Sequence, residues 1–193
     1  GEVETTTVEI SSDSEPTPET ILLTETGPDS GEFAGTIMTS DSMAGEGYIL
    51  IGHGDTITTV YNDADCEGSP VTVDDSAVAD CEGPVISAVT VDAVSTDFFT
   101  VSWMTSEPAA SVFTWGDAMP PTTMEEDAAM RTEHSITIEG VEDCTTFYFM
   151  IAGTDIGGNV AIDDNGGAYY AITTYELVVM LEADMETDPG WTY

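Results

Sequence analysis

The stretch Val141–Asn159, VEDCTTFYFMIAGTDIGGN, restricts the backbone more than any other part of the chain. Phe147, Phe149 and Ile151 alternate with Tyr148, Met150 and Ala152, and a period of two sends the two sets to opposite faces of a strand. Gly157-Gly158-Asn159 then supplies the turn that ends it. One of those faces is built of large apolar side chains throughout, so it requires a second layer to cover it. Short runs of valine, isoleucine, threonine and aromatic residues, broken by glycine and proline, fill the remaining sequence and predict an all-β protein.

Around this strand stand Pro84-Val85-Ile86, Trp103 within FTVSWMTSEPA, and Trp115-Gly116. Together these residues resemble the fibronectin type III family, in the form common in secreted bacterial and archaeal modular proteins, over residues 83–174. The resemblance implies one Ig-like β-sandwich of ~100 residues with Trp103 packed centrally between its sheets. In that family leucine, proline, threonine and tyrosine form the corner before the sixth strand, and here Val141, Asp143, Thr145 and Phe147 hold those positions. Phe147 fills the tyrosine's space without its hydroxyl, and Tyr148 is expected to face outward. Strands are expected at Val85–Asp92, Phe98–Thr105, Ala110–Trp115, Glu133–Glu139, Thr145–Thr154 and Ala168–Thr173, with a helical turn or a loop over Met119–Ala129.

The first half opens with Val3, Val8 and Ile10 among threonines, a strand, followed by a turn over Ser11–Glu19 and a short strand at Ile21-Leu22-Leu23. Thr24–Pro28, Phe33 with Gly35, and Gly54–Tyr61 resemble a repeated module of bacterial and archaeal surface proteins, among them archaeal surface-layer chains and large secreted proteases. That resemblance implies a first Ig-like sandwich. Asp80-Cys81-Glu82-Gly83-Pro84 reads as the junction, because proline stops one ladder and glycine permits the bend into the next. The expected organisation is two tandem sandwiches, 1–81 and 82–174, and a strand-forming tail over 175–193.

Charge bounds the surroundings and the partners. The 193 residues include one Lys or Arg, Arg131, against 38 Asp and Glu, for a net charge of -37 at pH 7. A hydrophobic fraction of 41% gives enough apolar side chain for a core, so this is not a disordered acidic tail. Carboxylates at that density repel, and salt or divalent cations must relieve them. The expected setting is salty or calcium-rich, extracellular or at a cell surface. Nucleic acid and anionic lipid require clustered Lys and Arg, so neither is an expected partner. No apolar run reaches the ~18 residues of a spanning helix, and the sequence starts at Gly1 as a mature product or a piece of a longer one.

Asp63, Asp65, Glu67 with Gly68, and Asp74 have the 1, 3, 5, 6 and 12 spacing of a calcium loop, although strands rather than helices flank it and position 12 carries Asp. Asp155 with Asn159, and Asp163-Asp164-Asn165-Gly166, are further clusters that read equally as ordinary Asx turns. Of three cysteines, Cys66 and Cys81 are the expected disulfide, closing a loop of ~15 residues for ~3 kcal/mol, which leaves Cys144 free or intermolecular. His53 and His134 are the two histidines, and no serine or cysteine sits in a nucleophile motif. The sequence therefore points away from an enzyme.

After residue 174 the chain continues through Leu177, Val178, Val179, Met180 and Leu181 into EADMETDPGW. This apolar run reads either as the opening strand of a further module or as a donor strand that completes a neighbouring subunit. Two functions follow. One is a structural subunit of a surface layer, sheath or filament that self-associates into a polymer; the other is a spacer or adhesion module of a larger secreted hydrolase.

Overall fold

The computed structural model describes residues 1–45, 47–66 and 68–176, and all regular structure among them is β. The chain divides after Glu82 into two compact units. In the first, β1 (Thr5–Ser12), β2 (Glu19–Glu25), β3 (Phe33–Ala34), β6 (Thr56–Cys66) and β7 (Ser69–Val78) make one antiparallel sheet in the order β3-β2-β1-β6-β7. The short strands β4 (Met38–Ser40) and β5 (Tyr48–Leu50) pair in parallel beside it.

Strand register sorts the first sheet by face. Thr6, Val8 and Ile10 lie opposite Leu23, Ile21 and, on β6, Thr59; Thr5, Thr7 and Glu9 lie opposite Thr24, Leu22 and Val60 on the other face. The apolar content is thin, and Ile10, Ile49 and Ala79 are the buried apolar side chains described in this unit. Polar anchors add to it. Ser12 Oγ donates to the Leu50 carbonyl at 2.5 Å while the Leu50 N–H donates to Glu15 Oε2 at 2.7 Å, which ties β5 to the turn after β1.

The second unit contains β8 (Ile86–Val94), β9 (Phe98–Gly116), β10 (Thr123–Glu139), β11 (Thr146–Thr154), β12 (Val160–Asp163) and β13 (Tyr170–Thr173). Its sheet runs β10-β9-β11-β12, with β8 on β9 and β13 on β11. Gly83 approaches the Val160 carbonyl carbon so closely that a Cβ would sit 2.7 Å from it, and Pro84 behind it is fully buried. The two expected strands Phe98–Thr105 and Ala110–Trp115 are one 19-residue strand, whose register with β10 breaks between Met104 and Ala109, and which folds back so that Phe99 meets Trp115. Likewise β10 begins at Thr123 rather than Glu133, so Met119–Ala129 is mostly strand, with register shifts at Asp127, Arg131 and Glu133. Long strands that bend together carry one sheet through two layers.

Ring contacts show those layers facing each other. Phe99 from the first half of β9 packs edge-on to Trp115 from its second half at 6.1 Å and tilts against Phe147 at 5.7 Å. Trp103 stacks on Phe113 at 5.9 Å, and Phe113 leans on Phe149 at 5.1 Å. Phe99, Val101, Trp103, Phe113, Phe147, Phe149 and Ile151 are buried in one cluster. Phe147 occupies the core and Tyr148 the outward side of β11. At the corner before that strand, Thr174 Oγ1 donates to the Glu142 carbonyl at 2.7 Å and accepts the Thr145 N–H at 3.0 Å. A hydroxyl just after β13 thus fastens the corner before β11.

If this aromatic cluster holds the second unit together, Phe99→Ala should cost about 3–5 kcal/mol of unfolding free energy, whereas Val91→Ala at an exposed edge should stay within about 0.5 kcal/mol. Chemical denaturation followed by tryptophan fluorescence measures both.

Candidate functional site

The bends of β9 and β10 meet at one corner, where the register sets Arg131 opposite Ala109. Thr105 Oγ1 lies there 2.8 Å from the Glu107 carbonyl, 3.2 Å from the Arg131 carbonyl and 3.2 Å from His134 Nε2. A hydroxyl has one proton to give, and the shortest contact assigns it to Glu107. His134 then donates from Nε2 to Thr105, which leaves Nδ1 as the bare acceptor. His134 is 4% exposed, and its Nδ1 and the Trp103 Nε1 are buried without a hydrogen-bond partner. The His134 and Trp103 rings stack in parallel at 5.3 Å. Burial holds the imidazole below its ordinary pKa, with the Arg131 charge acting in the same direction and Asp127 opposing it.

Thr90, Ser102, Arg131 and Glu133 line an open groove of about 570 Å³ whose floor includes Trp103 and His134. The Arg131 guanidinium is engaged by Asp127 at 3.3 Å. A neutral imidazole held by Thr105 and covered by indole acts as a strut that pins two bent strands. Sequence reasoning gave no signal for this cluster, since Thr105 and His134 meet only through the strand register.

The acidic spacing has a different outcome from a calcium loop. Asp63 lies on β6 opposite Val71, and Asp74 lies on β7 opposite Val60, because the two strands zip into a hairpin through Cys66 and Ser69. Among the described residues, Asp63 and Asp74 therefore stand on separate strands of a hairpin, at different rungs of its ladder. Glu67 and the side chain of Asp65 lie outside the described residues. The later acidic clusters close turns on their own backbone: Asp155 accepts the Asn159 N–H and side-chain amide, both at 2.9 Å, and Asp164 accepts the Gly167 N–H at 2.8 Å. Asp163 takes the Tyr170 hydroxyl at 2.8 Å, and burial with that carboxylate pushes the phenol up to about 12.

The expected Cys66–Cys81 bridge is corrected by the same hairpin. Cys66 pairs with Ser69 at its tip, whereas Cys81 follows the far end of β7 and donates its N–H to His53 Nδ1 at 3.3 Å. Roughly ten strand residues at ~3.3 Å each separate them, against the ~7 Å limit for bridged Cα atoms. Cys81 and Cys144 are free, exposed thiols. Leu177, Val178, Val179, Met180 and Leu181 lie outside the described residues; the chain reaches them from Tyr175, whose N–H donates to the Ser95 carbonyl at 2.9 Å and whose carbonyl accepts the Cys144 N–H at 3.2 Å.

Uncovered β surface is the other prominent feature. β7 is a sheet edge exposed along its whole length, and β1 supports β6 only as far as Val60. Tyr61, Val71 and Val73 therefore stand exposed on a projecting hairpin. In the second unit β10 is exposed over its first eleven residues. No protein-family model matches the chain, and no curated protein sequence matches it.

Removal of the strut has a defined pH signature. The His134 pKa is lower in the folded than in the unfolded chain, so the unfolded state binds the proton first and stability falls as pH drops below the ordinary value of 6.5. The slope is at most about 1.4 kcal/mol per pH unit for one proton. His134→Gln should be less stable at pH 8 yet lose that component of the slope between pH 6.5 and 5; equal slopes in both proteins would show that His134 does not titrate on unfolding.

Proposed function

We propose that the chain is an extracellular structural subunit of a surface layer, sheath or filament, which self-associates into a polymer with divalent cations such as calcium among its counterions. The observation that carries this reading is the pairing of a net charge of -37 with long, uncovered sheet edges at β7 and β10. Unpaired strand edges are templates for a further strand. Soluble proteins commonly blunt them with lysine, and this chain has none. Acidity keeps separate copies apart at low ionic strength, and salt or divalent cations remove that barrier. The apolar run Leu177–Leu181 supplies a strand suited to such an edge on a neighbouring subunit. Head-to-tail donation of this kind leaves the symmetry open and extends into a fibre. The same acidity opposes binding to nucleic acid or to anionic lipid.

Ending the chain after Glu176 retains Tyr175 and its two backbone hydrogen bonds, so the shortened protein should remain folded. It should no longer polymerise under conditions in which the full chain does, by light scattering and electron microscopy. Normal polymers from the shortened chain would exclude the tail as the connector. Calcium at millimolar concentration should raise the melting temperature by at least about 3 °C over EDTA at equal ionic strength. Identical melting would leave general screening as the whole effect.

A further inference from the structure

Strand register in the second unit places an apolar strip across four strands on the face turned away from the core. Thr114 of β9 lies between Met124 of β10 and Met150 of β11. In the next row outward on the same face, Val112 lies between Glu126 and Ala152, and Ile162 of β12 lies beyond Ala152. Val160 follows beside Thr154. Phe147, Phe149 and Ile151 take the core side of β11, so the alternate residues Met150 and Ala152 point outward. Met124, Val160 and Ile162 are 62%, 59% and 64% exposed. Glu126, on the edge strand, is the one carboxylate in these rows.

We propose that this face is where two copies of the chain meet, sheet against sheet. The inference rests on the reading of the chain as a self-associating subunit and names the surface it uses. Charge selects a second copy as the occupant. Two molecules of net charge -37 repel least where neither brings a dense set of carboxylates, because repulsion grows as water is excluded between them. A basic partner would be drawn to the acid-bearing surfaces instead. Nine positions spaced ~4.8 Å across the strands and ~7 Å along them give a face of roughly 300 Å², under half of the ~800 Å² that one partner contributes to a standard interface. Such a contact is weak alone and gains from repetition in a polymer.

Stacked sheets keep their strands within about 30° of each other, and identical partners meet through a two-fold axis. An axis parallel to the strands lays β10 of one copy over β12 of the other, so Glu126 meets the Ile162 side. An axis across the strands would set the two Glu126 carboxylates against each other. The first arrangement is the one the charges allow.

Sedimentation velocity of the full chain over a concentration series in about 2 M NaCl tests the proposal, since that salt removes long-range repulsion. Wild-type protein should associate, and Ile162→Glu should weaken association about tenfold or more, the effect of ~1.4 kcal/mol. Leu22→Glu, at an equally exposed apolar position on the first unit, should leave association unchanged. Near-ultraviolet circular dichroism checks the fold, and Met124→Glu replaces Ile162→Glu if the latter does not fold. Undiminished association of the face variant, or equal weakening by Leu22→Glu, overturns the assigned face while self-association stands. Wild-type protein that stays monomeric throughout overturns the assembly reading itself.

Discussion

Carboxylates that accept hydrogen bonds from backbone N–H groups hold the turns of a protein that has almost no cations to offer them. Among the described residues, the side-chain ion pair of a fixed cation is Arg131 with Asp127, half exposed on both sides, and such pairs contribute at most about 1 kcal/mol. Backbone amides do the work that lysines do elsewhere. Glu25 accepts the Gly31 N–H at 2.9 Å and the Glu4 N–H at 3.1 Å, and these bonds keep its carboxyl below the ordinary range. Asp55 accepts the Gly52 N–H at 2.8 Å and the Ser14 N–H at 3.2 Å, which joins two turns far apart in sequence. A hydrogen bond with an ionised acceptor is stronger than a neutral one, so each such acid lowers the free energy of its turn while adding to the surface charge.

The two units divide the labour of stability unequally. In the first, three apolar side chains are buried among the described residues, and polar anchors such as Ser12, Glu15 and Glu25 are buried with them. In the second, a continuous series of ring contacts runs from Trp103 through Phe113 and Phe149 to Tyr170. Because β9 and β10 each pass through both layers, the layers cannot part without opening the corner at Thr105. The strut at His134 therefore sits where two long strands change direction together, which explains a buried imidazole without assigning it any chemistry.

What the sequence revealed depended on whether the signal was local. The alternation over residues 147–152 specified β11, its faces and the core role of Phe147, since period and side-chain type agreed. The long strands were hidden, because the gap between the expected strands Phe98–Thr105 and Ala110–Trp115 lies within one strand, and the expected loop over Met119–Ala129 is mostly strand. β12 escaped notice as four residues between two glycine-rich turns. The calcium spacing is ambiguous for a physical reason: positions 1, 3 and 5 of such a loop are also the period of one face of a strand, and β6 extends through Asp63 and Asp65. Loop-closure entropy likewise favoured Cys66 with Cys81 while saying nothing about distance, which the hairpin register decides.

Acid should expose the tension between anchoring and repulsion. Protonation lowers the net charge of -37 and with it the repulsion that opposes the compact state. Glu25, Asp55 and Asp155 titrate lower in the folded chain than their ordinary 4.5, 3.8 and 3.8, so the unfolded chain takes up those protons first. Their contribution is present above the unfolded values and is lost as pH falls through the folded ones. For Asp155 burial opposes ionisation, and the hydrogen bonds from Asn159, Gly157 and Gly158 outweigh it. Acid therefore relieves repulsion across the surface but, once it reaches the lowered carboxyls of Glu25, Asp55 and Asp155, also removes the bonds that fasten their turns.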